Sequence, residues 1–201
     1  DVEHDWHFAK RKSTGAWVNT GLFTQVWKAV QTEAHWVSAD WIVKVDPDAV
    51  FVPKRLVKKL EFQYEVADGL YMENCQYVDY GFFGNLEVIS KKAFTTLLAH
   101  IDECKAEINW KVGIKNGKYG PMGEDLFAQM CMSKHGVKRF QAFDVSMDGA
   151  CEAKRDEGHK KDKKWQPHCG ASYASSYHPF KKPEQWATCM QQAIAAFPQP
   201  M

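Results

Sequence analysis

The chain has no long hydrophobic run, no excess of charge of either sign and no closely spaced cysteine pair, and each absence narrows what it can do. No apolar stretch approaches the ~20 residues that a helix needs to span a bilayer. Basic and acidic residues number 26 and 25, so electrostatics gives no reason to expect nucleic acid or an acidic membrane surface as partner. No C-x-x-C pair occurs, which speaks against a zinc ribbon, and no EF-hand loop, which speaks against a calcium-binding structural protein. No internal repeat is present. No leader is visible either: the opening "DVEHDWHFAK" has neither a start residue nor a signal sequence, and reads as a trimmed piece of a longer protein.

What is present describes a globular protein. The 201 residues suit a single domain over 1–201, irregular over 1–17, and 45% hydrophobic residues give it a full core. Six cysteines (Cys75, Cys104, Cys131, Cys151, Cys169, Cys189) are an even set at wide spacing. They suit up to three disulfides in an oxidising lumen, with 15 connectivities open, and at least two bridges are expected. Cys131, between Met130 and Met132 on a helix, reads as a buried free thiol.

Periodicity orders the chain into alternating helices and strands. After Asn19 or Thr20 as cap, Phe23, Val26, Trp27 and Val30 make one face of an amphipathic helix. Trp41 to Val45 reads as a strand, apolar except for Lys44 and therefore central. Pro53 opens a short helix with Leu56, Val57 and Leu60 inward. The stretch "YVDYGFFGNLEVIS" is β-rich; Ser90 then caps a helix striped by Ala93, Phe94, Leu97, Leu98 and Ile101. "EDLFAQMCMSKHG" is a helix with acids at its start and Lys134 and His135 at its end, as the macrodipole prefers. "VKRFQAFDV" alternates like a strand, and "PEQWATCMQQAIAAF" is a helix begun by Pro183. Residues 152–168, without apolar periodicity, read as a mobile charged loop. The class is α/β with a mixed sheet.

Three short features could carry chemistry. In "WIVKVDPDAVFVPKRL", Asp46 and Asp48 follow the strand at its carboxyl end, where open α/β sheets bind ligands. Thirteen aspartates give roughly 0.8 such pairs by chance, and a strand-end turn whose carboxylates accept backbone N–H groups is the plain alternative. Two carboxylates suit a hard dication, Mn²⁺ or Mg²⁺, completed by water and phosphate oxygens. Pro47 between them stiffens the turn. In "GPMGEDLF", Glu124 and Asp125 open a helix; either they answer the helix dipole, or one of them is a general base for an acceptor hydroxyl. In "SSYHPFKKPEQW", His178 is an exposed loop histidine or a third ligand for the metal at Asp46 and Asp48.

The ordered set resembles metal-dependent glycosyltransferases of the GT-A fold, particularly the β-1,3-galactosyltransferase and Fringe-like group. It is most similar to large, uncharacterised algal proteins of that type, common in dinoflagellates, in "TGLFTQVWKAV", "DWIVKVDPDAVF", "GFFGNLEV", "GEDLFAQMCM" and "HPFK". The resemblance covers about Val18 to Met190. It implies an inverting, Mn²⁺-dependent (or Mg²⁺-dependent) transfer of a sugar from a nucleotide sugar to a glycan or protein hydroxyl. Asp46, Asp48 and His178 would hold the metal against the donor diphosphate, and Asp125, or else Glu124, would be the base. Gly81 and Gly84 would let a sugar approach the backbone. Tyr80, Phe82 and Phe83 would either stack on the sugar or pack against the sheet. The compartment implied is the secretory-pathway lumen, Golgi-like, or the extracellular space.

One departure stands beside it. Only 45 residues precede Asp46, too few for the strands and helices that build the nucleotide pocket of a GT-A domain. Either the chain is a fragment of a longer enzyme, or the domain is non-catalytic, a structural or binding subunit among other protein subunits. In an alga that assembly would extend to a plastid lumen or other organelle, even a photosynthetic supercomplex.

Overall fold

The computed structural model of the chain describes residues 19–64, 66–78, 80–111, 122–151 and 166–196. The irregular opening, 1–17, and residues 152–165 of the expected charged loop lie outside the described residues. The elements run α1 (Thr20–Glu33), a 3₁₀ turn (His35–Ser38), β1 (Trp41–Val45), β2 (Val50–Phe51), α2 (Pro53–Leu60), β3 (Leu70–Glu73), β4 (Leu86–Ser90) and α3 (Lys91–Glu107). They continue with α4 (Glu124–Lys134), β5 (Lys138–Gln141), β6 (Ser146–Asp148), β7 (Ser176–His178) and α5 (Pro183–Ala195). The protein is mixed α/β, with mixed sheets flanked by helices. Its chain divides into two compact units, one from Asp1–Ile42, Ala67–Leu70 and Ile89–Lys138, the other from Val43–Val66, Tyr71–Val88 and Arg139–Met201.

The first unit is helical. Ser90 accepts from the backbone N–H of Ala93 and so caps α3, whose expected stripe of Ala93, Phe94, Leu97, Leu98 and Ile101 is buried throughout. Trp27 and Trp36 each meet the Phe94 ring edge-on, at 5.6 and 5.2 Å between centroids. The buried line of α1 is Thr20, Thr24 and Trp27, with Phe23, Val26 and Val30 half-buried beside it. Both threonines can be inside because each hydroxyl has a carbonyl to donate to, Met122 for Thr20 and Gly21 for Thr24. Cys131 is not a free thiol: it is bonded to Cys104 and ties α4 to α3. Gly69 is required where it stands, at φ 79° with any Cβ only 2.3 Å from the nitrogen of Ala93.

In the second unit, β2, β7 and β6 form a mixed sheet, antiparallel between β2 and β7 and parallel between β6 and β7. Its core joins Val50, Val52, Ala171, Ala174, Tyr177, Phe180 and Ala193 to the Cys169–Cys189 disulfide. Val57 on α2 does not turn inward; it is 58% exposed, and Arg55 is buried instead. The Arg55 guanidinium donates to the carbonyls of Ala171, Ala174 and Ala193 and to the Tyr177 hydroxyl, so the loop before β7 and the end of α5 are pinned to α2 by one side chain. Residues 43–45, 71–73, 86–88 and 139–141 of four further strands also belong to this unit, in the order β1-β4-β3-β5. Among the described residues β1 therefore lies at the sheet edge and is not central; β3 and β4 are the buried strands. Lys44 breaks the apolar run of β1 because its ammonium reaches the fully buried Glu87 carboxylate of β4 at 2.7 Å.

All six cysteines are paired, Cys75–Cys151 being the third bridge. Three disulfides are compatible with an oxidising, secreted or lumenal location. Among the described residues no helix is long and apolar enough to cross a membrane.

Candidate metal centre

Strand register brings the key side chains together. The antiparallel pairing Val50↔Tyr177 and the backbone bond from Phe180 N–H to the Asp48 carbonyl lay the turn after β1 along the end of β7. The parallel pairing Asp148↔His178 sets those two residues side by side. His178 Nε2 lies 3.3 Å from Asp48 Oδ1 and 3.9 Å from Asp46 Oδ2, while its Nδ1 is 2.5 Å from Asp148 Oδ2. One donor atom from each of Asp46, Asp48 and His178 falls within 4.8 Å of the others. A carboxylate only accepts, so Nδ1 carries the proton shared with Asp148, and Nε2 is the nitrogen turned toward the two aspartates.

Asp148 is the part that sequence reasoning missed. Its Oδ1 accepts from Ala150 N–H at 2.6 Å, its backbone carbonyl from Cys151 N–H, and its side chain is 7% exposed. No motif marks it; only a register between strands far apart in the chain could reveal it.

Two ammonium groups neutralise the carboxylates. Lys181 donates to Asp48 Oδ2, and Lys44 stands 3.5 Å from Asp46 Oδ1. Burial would push the Asp48 carboxyl up, but the Lys181 hydrogen bond and the charges of His178 and Lys181 together outweigh it and hold it below the ordinary carboxylate range. Beside Asp48 an open cleft of 280 Å³ is lined by Pro47, Phe180, Lys181, Pro183 and Trp186. The Trp186 indole N–H is committed to the Ala49 carbonyl, which fixes that ring along one wall.

The other expected site residues divide. Glu124 is buried at the start of α4 and clasped by Asn19, which accepts from the Glu124 backbone N–H and donates to its Oε2. Asp125 is half-buried, with Oδ1 accepting from the Leu126 N–H at 2.8 Å. Both lie in the first unit, whereas Asp46, Asp48, Asp148 and His178 lie in the second. Phe82 is fully buried, edge-on to Tyr71, and offers no face to a sugar; Tyr80 and Phe83 pack against Cys75, Val78 and Cys151. Gly81 has φ 70° and a Cβ there would come within 2.9 Å of Glu73, so the fold alone demands glycine. Gly84 receives the Lys44 ammonium on its carbonyl. Of the expected sugar-facing set, Phe82 is excluded by burial, and Gly81 and Gly84 have local structural duties. No protein-family model and no curated protein matches the chain.

Proposed function

We propose that the chain is a GT-A-type glycosyltransferase domain that holds a divalent metal at Asp46, Asp48 and His178 and transfers a sugar, with inversion, from a nucleotide sugar to a hydroxyl acceptor. The observation that carries this reading is the meeting of His178 with the two aspartates, its ring held from behind by Asp148. Nearly buried carboxylates behind histidines are how metal sites fix an imidazole and raise its basicity. The donor set fits Mn²⁺ or Mg²⁺: two hard oxygens and one nitrogen, with separations of 3.3 and 3.9 Å against the ~3 Å expected between neighbouring ligands 2.0–2.1 Å from one octahedral ion.

When bound, such an ion supplies Lewis-acid stabilisation of the leaving diphosphate. The chain's own residues do the rest. Lys181, released from Asp48, is a mobile cation beside the cleft, suited to a phosphate oxygen. Asp125 is the better base of the pair, since Glu124 is buried and clasped by Asn19. As the acceptor oxygen forms its bond to the anomeric carbon and the bond to diphosphate breaks, the acceptor proton passes to a carboxylate base, the role that the resemblance implies for Asp125.

Calorimetric titration with Mn²⁺ and then UDP tests this. Mn²⁺-dependent UDP binding is expected, and its loss in Asp48→Ala. A full-length protein that binds no UDP in the presence of Mn²⁺ overturns the enzyme reading. A second reading has one observation of its own: with Lys181 on Asp48 and Lys44 near Asp46, the carboxylates already have internal counter-ions, as a non-catalytic domain would need. Under that reading Lys181→Ala binds Mn²⁺ no better than the unaltered protein; under the enzyme reading it binds more tightly.

A further inference from the structure

The chain brings histidine and carboxylate side chains together twice, with different geometry. In the first unit the rings of His100 and His135 stack face to face, 3.6 Å between centroids and 12° from parallel, and Glu103 beside them is paired with Lys134. At the candidate metal centre one edge of His178 faces two carboxylates instead, and each aspartate divides its two oxygens. Asp46 turns Oδ2 toward His178 Nε2, 3.9 Å away, and Oδ1 toward the Lys44 ammonium, 3.5 Å away. Asp48 turns Oδ1 toward the imidazole, at 3.3 Å, and Oδ2 toward Lys181. The two ammonium groups are not equivalent. Lys181 is 76% exposed and can swing into solvent when a dication arrives. Lys44 is 12% exposed and anchored: it donates to the fully buried Glu87 carboxylate at 2.7 Å and to the Gly84 carbonyl at 3.2 Å. Displacing it would take its ammonium partner from a buried carboxylate, which is strongly unfavourable.

We propose that Lys44 is a selectivity residue of the metal centre: it holds Asp46 to coordination through one oxygen and so favours Mn²⁺ or Mg²⁺ over Ca²⁺. The inference rests on the metal-binding reading of Asp46, Asp48 and His178 given above. Ca²⁺ gathers about 6–8 oxygen ligands and commonly takes both oxygens of a carboxylate. The smaller dications keep to an octahedron of single oxygens and water. An ion chelated by both oxygens of Asp46 would sit against the fixed ammonium on the Oδ1 side, two like charges at close range in a half-buried site. An ion on Oδ2 alone keeps the carboxylate between itself and Lys44. The imidazole acts in the same direction, because its nitrogen is a softer donor than the oxygens that Ca²⁺ prefers.

The test compares Mn²⁺ and Ca²⁺ on the full chain, with free Mn²⁺ read by electron paramagnetic resonance and Ca²⁺ by its displacement of bound Mn²⁺. The unaltered protein is expected to bind Mn²⁺ at least roughly tenfold more tightly than Ca²⁺. Lys44→Met/Glu87→Met removes the buried ion pair whole, so neither charge is left alone and the net charge is unchanged. In that variant Ca²⁺ is expected to gain, and the preference for Mn²⁺ to fall roughly three- to tenfold. Lys44→Gln/Glu87→Gln, a neutral pair that can still hydrogen-bond, is expected to show the same fall, and carries the test if circular dichroism finds the apolar pair unfolded. A loosened site would weaken both ions together, so the ratio isolates the coordination of Asp46. Equal affinity for the two ions in the unaltered protein, or a preference unchanged in a folded variant, overturns the role of Lys44 and leaves the metal centre standing. No uptake of Mn²⁺ by the unaltered protein overturns the metal centre itself, and the role of Lys44 with it.

Discussion

The two histidine–carboxylate clusters use the same side chains in opposite proportion and hold them by different means. Around His178 two aspartates meet one imidazole, and the ring is seated by a third carboxylate, Asp148, that strand pairing delivers. Around Glu103 two imidazoles meet one carboxylate, and the rings are seated by each other and by a disulfide between helices. Stacked rings keep their lone pairs in parallel planes, so the Glu103 cluster is an ion-pair cluster, whereas His178 turns one ring edge toward two carboxylates. What the two share is a tethered ammonium, Lys181 on Asp48 and Lys134 on Glu103.

The comparison can be broken most strongly at the helical end. Removing the Cys104–Cys131 bridge as Cys104→Ala/Cys131→Ala frees a loop with a sequence separation of 27 residues. The expected loss is about 3–4 kcal/mol of stability by chain entropy, read as a lower midpoint in thermal or urea unfolding. On the strand side, Arg55→Met takes the guanidinium from the Ala193 carbonyl and leaves the Ala171 and Ala174 carbonyls with the Tyr177 hydroxyl alone. A loss of about 3 kcal/mol is expected, visible in the same unfolding curves. A variant as stable as the parent would mean that water replaces the guanidinium.

Asp148→Asn sharpens the contrast without emptying the metal centre. It keeps the shape but removes the charge behind His178, and Mn²⁺ affinity is expected to fall roughly 10–100-fold. Loss of the folded circular-dichroism spectrum in the same variant would show a general loss of folding instead. The smallest effect is electrostatic. Hydrogen bonds from Lys134 and then His100 hold the Glu103 carboxyl down at about 2, against an ordinary 4.5. Because the folded value is the lower one, its contribution is present above the unfolded value and is lost as pH falls through about 2. Carbon-detected NMR titration should find Glu103 still ionised at pH 3, and titrating higher in Lys134→Met.

Legibility followed the range of the interactions involved. The α3 stripe and its Ser90 cap were readable because period and cap are local. The edge position of β1 was not, because an apolar strand reads alike at an edge or a centre, and Lys44 was the one hint. Val57, expected inward, is exposed and Arg55 is buried, because a buried guanidinium is tolerable only where carbonyls converge on it, and those come from far along the chain. Cys131 paired with Cys104 for the same reason: spacing does not specify connectivity. Asp46, Asp48 and His178 were named from the sequence and do meet; Asp148, which holds the third of them, has no local signal at all.

Asn19 has a consequence for how firmly α4 is held. It stands at the head of α1, yet its amide clasps Glu124 at the head of α4, 105 residues later. Met122, two residues before Glu124, is held separately, its N–H on the Trp110 carbonyl and its own carbonyl on the Thr20 hydroxyl. The start of α4 is therefore latched from two sides, and the Glu124 side chain faces the first helix rather than solvent.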